Sequence, residues 1–377
     1  MEELLKRIRP VTEEDRKNLP VFSYSKLEVF KNCPLQYRYK YIEKKYSQDT
    51  SIALELGSLC HYVLERKGHM IVNGEVIDYE LLNDLLANGV KETDEKTKEE
   101  LIDDLLNLAF AEDIGDGDHT TLCCIPEEEM GKQHLLIKEE GIIAGVDIAL
   151  KVFKKFDPTL KVEVFIHDGE KVKPGDIAFV VEGKVRSLLQ TERLMLNIMQ
   201  RMSGIATMTA KYAAELEGLK TKVLDTRKTT PGLRMLEKEA VKIGGGCNHR
   251  IGLFDMILLK DNHVDFAGGI KAAITKAKQY IKDNHKDGMK IEIEVRNFEE
   301  LNEAIETGGI DRIMLDNFTP ADTKKAVEII AGRYETESSG GITFKTLREY
   351  GECGVDFISV GALTHSVKGL DMSFKAC

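Results

Sequence analysis

The sequence predicts an α/β protein whose second half is a parallel barrel or a doubly wound sheet. Two observations carry this. Six short apolar runs alternate with helical stretches: KVLDT before LRMLEKEAVKIG, MILLK before GGIKAAITKAKQYI, IEIEV before FEELNEAIETG, RIMLD before TKKAVEII, ETESS before FKTLREYG, and FISVG closing the series. Each run also ends in charged or Gly/Ser-rich residues, and the C-terminal ends of barrel strands are where functional groups collect.

The chain has 377 residues, enough for two or three compact units with sizeable cores. Residues 1–97 are rich in Tyr and Lys, show no strand–helix alternation, and finish in the charged stretch NGVKETDEKTKEE, so a mainly helical extension is expected. Residues 98–205 change texture. An amphipathic helix over 99–111 is followed by the turn-rich EDIGDGDHTT and by the strand-like HLLIKEEGIIAG, KVEVFIHDG and DIAFVVEGKV, a small mixed sheet with tight turns. The run VRSLLQTERLMLNIMQRMSGIATMTAKYAAEL then reads as a helix bridging two domains. Leu189, Leu196, Met199 and Met202 form its apolar stripe, and Ser203-Gly204 marks a break. The β/α units occupy 206–365, and the tail 366–377 is a candidate to join the preceding domain.

A net charge of -11 argues against general affinity for nucleic acid, although a cationic pocket can sit inside an acidic protein. Seven cysteines without CxxC spacing read as the reduced thiols of a cytoplasmic protein, not as a disulfide framework or a zinc site. No run approaches the roughly 20 apolar residues of a membrane span, and MEELLKRIRP lacks the apolar core of a signal peptide.

The strand ends carry the chemistry. Arg227, Lys228, His249, Arg250 and Lys260 would meet on one rim, where guanidinium forks and ammonium charges suit carboxylate and phosphate. Taken singly, each is better explained as paired with a surface acid; it is the set together that points to an anion site. The three glycines of GGGCNHR are disfavoured in a helix and suit backbone amides approaching an anion. Glu294 and Asp316 close two strands. Asp316 has a rival role as a helix cap beside Thr319 and Pro320. In IEIEV, Glu292 and Glu294 share a face, and two acids inside a barrel need a cation, for which Mg²⁺ with phosphate ligands is the natural choice. ESSGG and SVGALTHS follow the last two strands, where barrels commonly hold a phosphate; two tight βα turns are the plainer alternative.

ERLMLNIMQRMSGIAT, LDTRKTTPGLR, GGGCNHR, LLKDNH, EIEV, MLDNF, ESSGG, SVGALTHS and EDIGDGDHTT together closely resemble the quinolinate phosphoribosyltransferase family over about residues 98–377. The resemblance implies an N-terminal α/β sandwich and an open, incomplete α/β barrel. It implies transfer of phosphoribose from phosphoribosyl pyrophosphate to quinolinate with decarboxylation, dependent on Mg²⁺. It also implies a homodimer in which Arg193 reaches into the neighbouring pocket. Thr226, Arg227, Lys228, His249, Arg250 and Lys260 would line the substrate sites, Lys228 nearest the reacting centre. Glu294 and Asp316 would hold ribose hydroxyls and Mg²⁺-bound pyrophosphate, and Ser339, Gly340, Ser359, Val360, Gly361 and His365 the 5′-phosphate.

The extension differs. FSYSKLEVFKNCPLQYRYKYIEKKY sets Ser25 and Glu28 as a capping box and Tyr37, Tyr39, Tyr41 and Tyr46 among basic residues. With LELGSLCHYVLE, where His61 and Glu65 lie a turn apart, it resembles the start of a RecB-type PD-(D/E)XK nuclease over about residues 20–67. The later metal-holding acids and the D/E-x-K of such nucleases find no counterpart before residue 98, so an inert remnant is expected. A nucleic-acid-binding or nuclease-related fusion is the rival reading of the whole chain.

Overall fold

The computed structural model describes residues 97–377 together with four short strands nearer the N-terminus. The chain divides into two compact units, Met1–Thr97 and Lys98–Cys377. In the first, β1 (Arg9–Pro10), β2 (Val21–Phe22), β3 (His69–Val72) and β4 (Glu75–Asp78) form one sheet in the order β1-β4-β3-β2. β3 and β4 pair antiparallel, with Val72 opposite Glu75. The two residues between them in sequence, Asn73 and Gly74, are the pair most favoured in a two-residue hairpin. The extension was expected to be mainly helical; its described residues are strands, and the capping box, the tyrosine-rich stretch and the His61–Glu65 pair lie outside them.

The second unit opens with helices Lys98–Ile114 and His119–Cys124. The Asp118 side chain caps the second of these by accepting from Thr121 N at 3.0 Å. β5 (Met130–Ile137), β6 (Gly141–Ile142), β7 (Lys161–Val164), β8 (Lys171–Val172) and β9 (Ile177–Lys184) follow, with helix Val146–Phe156 after β6. The C-terminal strand Met372–Ala376 pairs antiparallel with β5, giving a four-stranded sheet that runs Met372–Ala376, β5, β9, β7. Leu135, Ile137, Ala178, Phe179 and Val181 are buried beneath Val146–Phe156 in a common core, where the rings of Phe153, Phe179 and Phe374 lie 5.9–6.2 Å apart.

Helix Val185–Glu215 is unbroken through Ser203-Gly204, contrary to the sequence expectation. The small residues there serve close packing. Ser203 Oγ accepts from Ala144 N at 2.9 Å and donates to Ala144 O at 3.1 Å. A Cβ on Gly204 would stand 2.2 Å from Lys368 O. Because the obstacle is backbone, Gly204→Ala is expected to destabilise the second unit by about 1–3 kcal/mol, seen as a lower denaturant midpoint at unchanged slope.

Six parallel strands follow: β10 (Lys222–Leu224), β11 (Ile257–Leu259), β12 (Ile291–Val295), β13 (Arg312–Asp316), β14 (Glu335–Ser339) and β15 (Phe357–Ser359). Their spatial order is β10-β15-β14-β13-β12-β11, so the first two strands in sequence stand at opposite ends and the barrel is open between them. Beside β10, Leu224 also bridges Cys247. The crossover helices bury their apolar stripes, as with Ile270, Ala273, Ile274 and Ala277 of Ile270–Asp283 and Leu301 and Ala304 of Phe298–Thr307. Among the described residues no helix is long and apolar enough to cross a membrane.

Candidate active site

The strand register fixes which side chains share the barrel interior. Glu292 is opposite Arg312, which is opposite Glu335; Glu294 is opposite Met314, which is opposite Glu337; Asp316 is opposite Ser339. Cross-strand partners point the same way. Glu292 and Arg312 therefore share the lowest level, Glu294 and Glu337 the next, and Asp316 and Ser339 the C-terminal rim. The side chains then divide: Glu294 turns to Lys260 and Asp316 at the rim, and Glu337 turns down to Arg312 beside Glu292.

On the rim, Lys228 follows β10 and Lys260 follows β11, Glu294 is the last residue but one of β12, Asp316, Ser339 and Ser359 end β13, β14 and β15, and Gly340, Val360 and Gly361 come directly after the last two strands. A Cβ on Gly361 would lie 3.1 Å from both Lys228 Cδ and His365 Nε2, so these three residues adjoin. Gly340 has φ +95°, and its Cβ would meet Asn317 Oδ1 at 2.2 Å, so glycine is required by conformation and by space. Lys260 Nζ is 3.8 Å from Glu294 Oε2. Burial, and then the charge of Asp316, push the Glu294 carboxyl above its ordinary range. Thr319 supplies the cap of helix Pro320–Ile330 by accepting from Asp322 N, which leaves Asp316 free of that duty. Arg250 is 9% exposed and donates to Met256 O at 3.2 Å. Burial, and then the nearby charge of Arg227, lower its pKa.

Below the rim the loop ends are knotted together. Asp225 is buried, with Lys238 Nζ 2.5 Å from its Oδ1. Lys238 also donates to His249 O at 3.0 Å, and His249 N donates to Asp225 Oδ1 at 2.8 Å. Burial drives both members of this pair toward neutrality, Asp225 up and Lys238 down; the short contact and these hydrogen bonds oppose that, and we read the pair as ionised.

His249 is a further buried member of this network. It is 7% exposed, and its ring faces inward, Nε2 lying 3.0 Å from Glu292 Oε2 and 3.5 Å from Glu337 Oε2. Nδ1 accepts from Arg250 N at 2.6 Å, so in the neutral ring Nε2 carries the proton. Burial holds the His249 pKa below its usual value. Glu292, expected to share a metal with Glu294, instead faces Arg312, whose Nη1 lies 3.8 Å from it and 3.2 Å from Glu337. His249, Glu292 and Glu337 also have ligand atoms mutually within 4.8 Å. The proton on Nε2 and the Arg312 guanidinium beside both carboxylates argue against a cation there.

Arg193 is exposed on helix Val185–Glu215, apart from the rim set, and makes no ion pair among the described residues. Thr226 accepts from Lys228 N at 3.0 Å through its Oγ1, shaping the turn that carries Lys228.

Comparison with known proteins identifies this arrangement. Residues 118–203 and 205–375 match models described as the N-terminal and C-terminal domains of quinolinate phosphoribosyl transferase. Quinolinate phosphoribosyltransferase [decarboxylating] 1b of Nicotiana tabacum is 46% identical over 286 residues, covering 72% of this chain and 81% of its own. The chain belongs to the quinolinate phosphoribosyltransferase family. A probable nicotinate-nucleotide pyrophosphorylase [carboxylating] of Bacillus subtilis is 43% identical over 269 residues, 71% of this chain and 91% of that one. The crystal structure of NadC from Streptococcus pyogenes superposes with a TM-score of 0.70 at 40% identity, over 74% of this chain and 97% of that one. Residues 21–132 match a model of the PD-(D/E)XK nuclease superfamily, a match that runs past residue 98 into this quinolinate phosphoribosyltransferase-like unit.

Several polar residues packed at or beneath this rim escaped the sequence reading: Arg201, Asp225, Glu237, Lys238, Arg312 and Thr364, with Glu337 noted only as the start of ESSGG. One signal was available. Arg312 and Asp316, and likewise Glu335, Glu337 and Ser339, have matching parity in their strands, so a residue on the rim predicts side chains on the same face two and four positions earlier.

Proposed function

We propose that the chain catalyses the reaction of quinolinate with phosphoribosyl pyrophosphate to nicotinate mononucleotide, pyrophosphate and CO₂, a step in making NAD, in the cytoplasm. One observation carries the reading: cations, acids and glycine-lined strand ends face a single rim in an order that suits a substrate with carboxylates at one end and phosphates at the other. Arg227, Arg250, Lys228 and Lys260 would bind the quinolinate carboxylates and the pyrophosphate. The backbone at Gly340 and Gly361, with His365 adjoining Gly361, would hold the 5′-phosphate.

Glu294 and Asp316 would hold Mg²⁺ through ribose hydroxyls, pyrophosphate and water. The fit rests on their chemistry: two carboxylates near enough for the charge of one to raise the pKa of the other, with Lys260 3.8 Å away as the nearest cation. Mg²⁺, when bound, offsets the charge gathering on departing pyrophosphate. Lys228 and Lys260 add to that stabilisation, and the two carboxylates face the electron-poor C1 of the ribose. The quinolinate nitrogen bonds to C1 as the bond to pyrophosphate breaks. The pyridinium so formed accepts the electron pair left when the adjacent carboxylate departs as CO₂, and that ring carbon then takes a proton. The chain's part in this second step is orientation and exclusion of water.

We further propose a homodimer in which Arg193 contributes to the partner's site. Its exposure without a local partner supports this, as does the apolar surface at the open β11 edge, where Leu253 is 71%, Phe254 48% and Phe266 92% exposed. Residues 1–97 we take to be an inert nuclease remnant. The test uses the full chain. Pyrophosphate release should require quinolinate, phosphoribosyl pyrophosphate and Mg²⁺ together and stop on chelation; no release would sink the reading. Metal-dependent DNA cleavage that disappears in His61→Ala would favour the nuclease alternative.

A further inference from the structure

Lys228 stands on a loop, residues 225–233, that has neither helix nor strand, and three buried or half-buried residues grip that loop. Arg201, on helix Val185–Glu215, donates from Nε and Nη2 to Glu237 Oε1 at 3.1 and 2.8 Å. Its Nη2 also donates to the backbone oxygen of Thr364 at 2.5 Å. Glu237 is fully buried, and its other oxygen accepts from Thr230 N at 3.2 Å. Thr364, also fully buried, donates from Oγ1 to the backbone oxygen of Lys228 at 2.8 Å. The chain of contacts is closed: Lys228 O, Thr364, Arg201, Glu237, Thr230 N, and back through Thr229 to Lys228.

From this we infer that Arg201, Glu237 and Thr364 are positioning residues for Lys228, fixing its backbone from both sides so that its ammonium reaches the reacting centre. The inference rests on the proposed phosphoribosyltransferase reading. A planar guanidinium suits the task because its fork reaches Glu237 and Thr364 at once, whereas a lysine offers a single nitrogen. The Lys228 stem runs past Gly361, and Thr364 Oγ1 lies 3.3 Å from the oxygen of that same glycine. One hydroxyl therefore ties the lysine loop to the segment proposed to hold phosphate. A lysine has four rotatable bonds, so the backbone end must be fixed if the charged end is to be placed, and a misplacement of about 1 Å can cost about 10²-fold in rate.

Arg201→Met would leave Glu237 buried without its cation and could fail to fold. Thr364→Val is the cleaner variant, since it removes one hydroxyl at nearly constant shape. The full chain carrying Thr364→Val, Thr364→Ser or Arg201→Lys is assayed for kcat and KM with both substrates. Pyrophosphate affinity is measured by calorimetry, and each variant is repeated in the Lys228→Ala background. Thr364→Val is expected to lower kcat about 10–100-fold with KM for quinolinate changed less than about threefold. Thr364→Ser should restore most of the rate, and Arg201→Lys should behave like Thr364→Val. With Lys228→Ala present, Thr364→Val should weaken pyrophosphate binding no further. Effects that multiply independently of Lys228, or a Thr364→Val rate within about twofold of the parent, would overturn the inference. Absence of quinolinate turnover in the unmodified chain would instead count against the proposed function, and the coupling between Thr364 and Lys228 would still be read in pyrophosphate binding.

Discussion

Lys228→Ala is expected to lower kcat/KM for quinolinate by about 10²–10³-fold, the usual loss when one preorganised charge is removed from a transition state. Stability should barely move. The Lys228 side chain is exposed, its carbon stem adjoins Gly361, and the contacts that hold the loop use backbone atoms that alanine retains. The measurement is steady-state turnover beside a thermal melt of the same preparation. A rate within about fivefold of the parent would remove Lys228 from the reacting centre. An equal loss of rate and of fold would make it a structural residue.

The rim was legible because β/α repetition is a strong signal. Lys228, Lys260, Glu294, Asp316, Ser339 and Gly361 each stand at or just past the end of a short apolar run, and the alternation alone assigns them to one end of a parallel sheet. Lys238 and Glu237 were not legible. They sit in LRMLEKEAVKIG, where two acids and two lysines read as the solvated side of a helix, yet the helix turns Glu237 and Lys238 into the core beside Arg201 and Asp225. A buried ion pair has no local mark in sequence, because its partners come from distant segments. Ser203-Gly204 misled for the opposite reason. Composition suggested a break, while the small side chains make room for Ala144 and the Lys368 backbone. In the extension, Asn73-Gly74 between HMIV and EVID was a readable hairpin signal outweighed by the surrounding Lys and Tyr.

The barrel interior predicts the largest change in stability, and it depends on pH. Glu292 and Glu337 are wholly buried, and burial raises their carboxyl pKa to about 7 and about 8 against an ordinary 4.5. Because the two share Arg312 and His249, these values belong to the pair. With His249 neutral, two ionised carboxylates against one guanidinium would leave a net negative interior, so the pair keeps a proton near neutral pH. Carboxyls whose folded pKa exceeds the unfolded one contribute stability that is complete below about pH 4.5 and is lost as pH rises through about 7 to 8. Arg312 opposes that loss by lowering both values. Arg312→Met, a variant of similar length that keeps an apolar chain near the Phe357 ring now 4.3 Å from the guanidinium, strips the pair of its cation. It should cost about 3–5 kcal/mol at pH 8, the range for an orphaned buried charge. At pH 5 both carboxyls are protonated and the cost should fall to about 1–2 kcal/mol, near that of a lost buried hydrogen bond. Denaturant unfolding of the parent and the variant at the two pH values measures the difference. Equal losses at pH 5 and pH 8 would mean that Arg312 acts through its packing on Phe357 and its ion pair with the half-exposed Glu335, 3.0 Å away, and not through the two buried carboxylates.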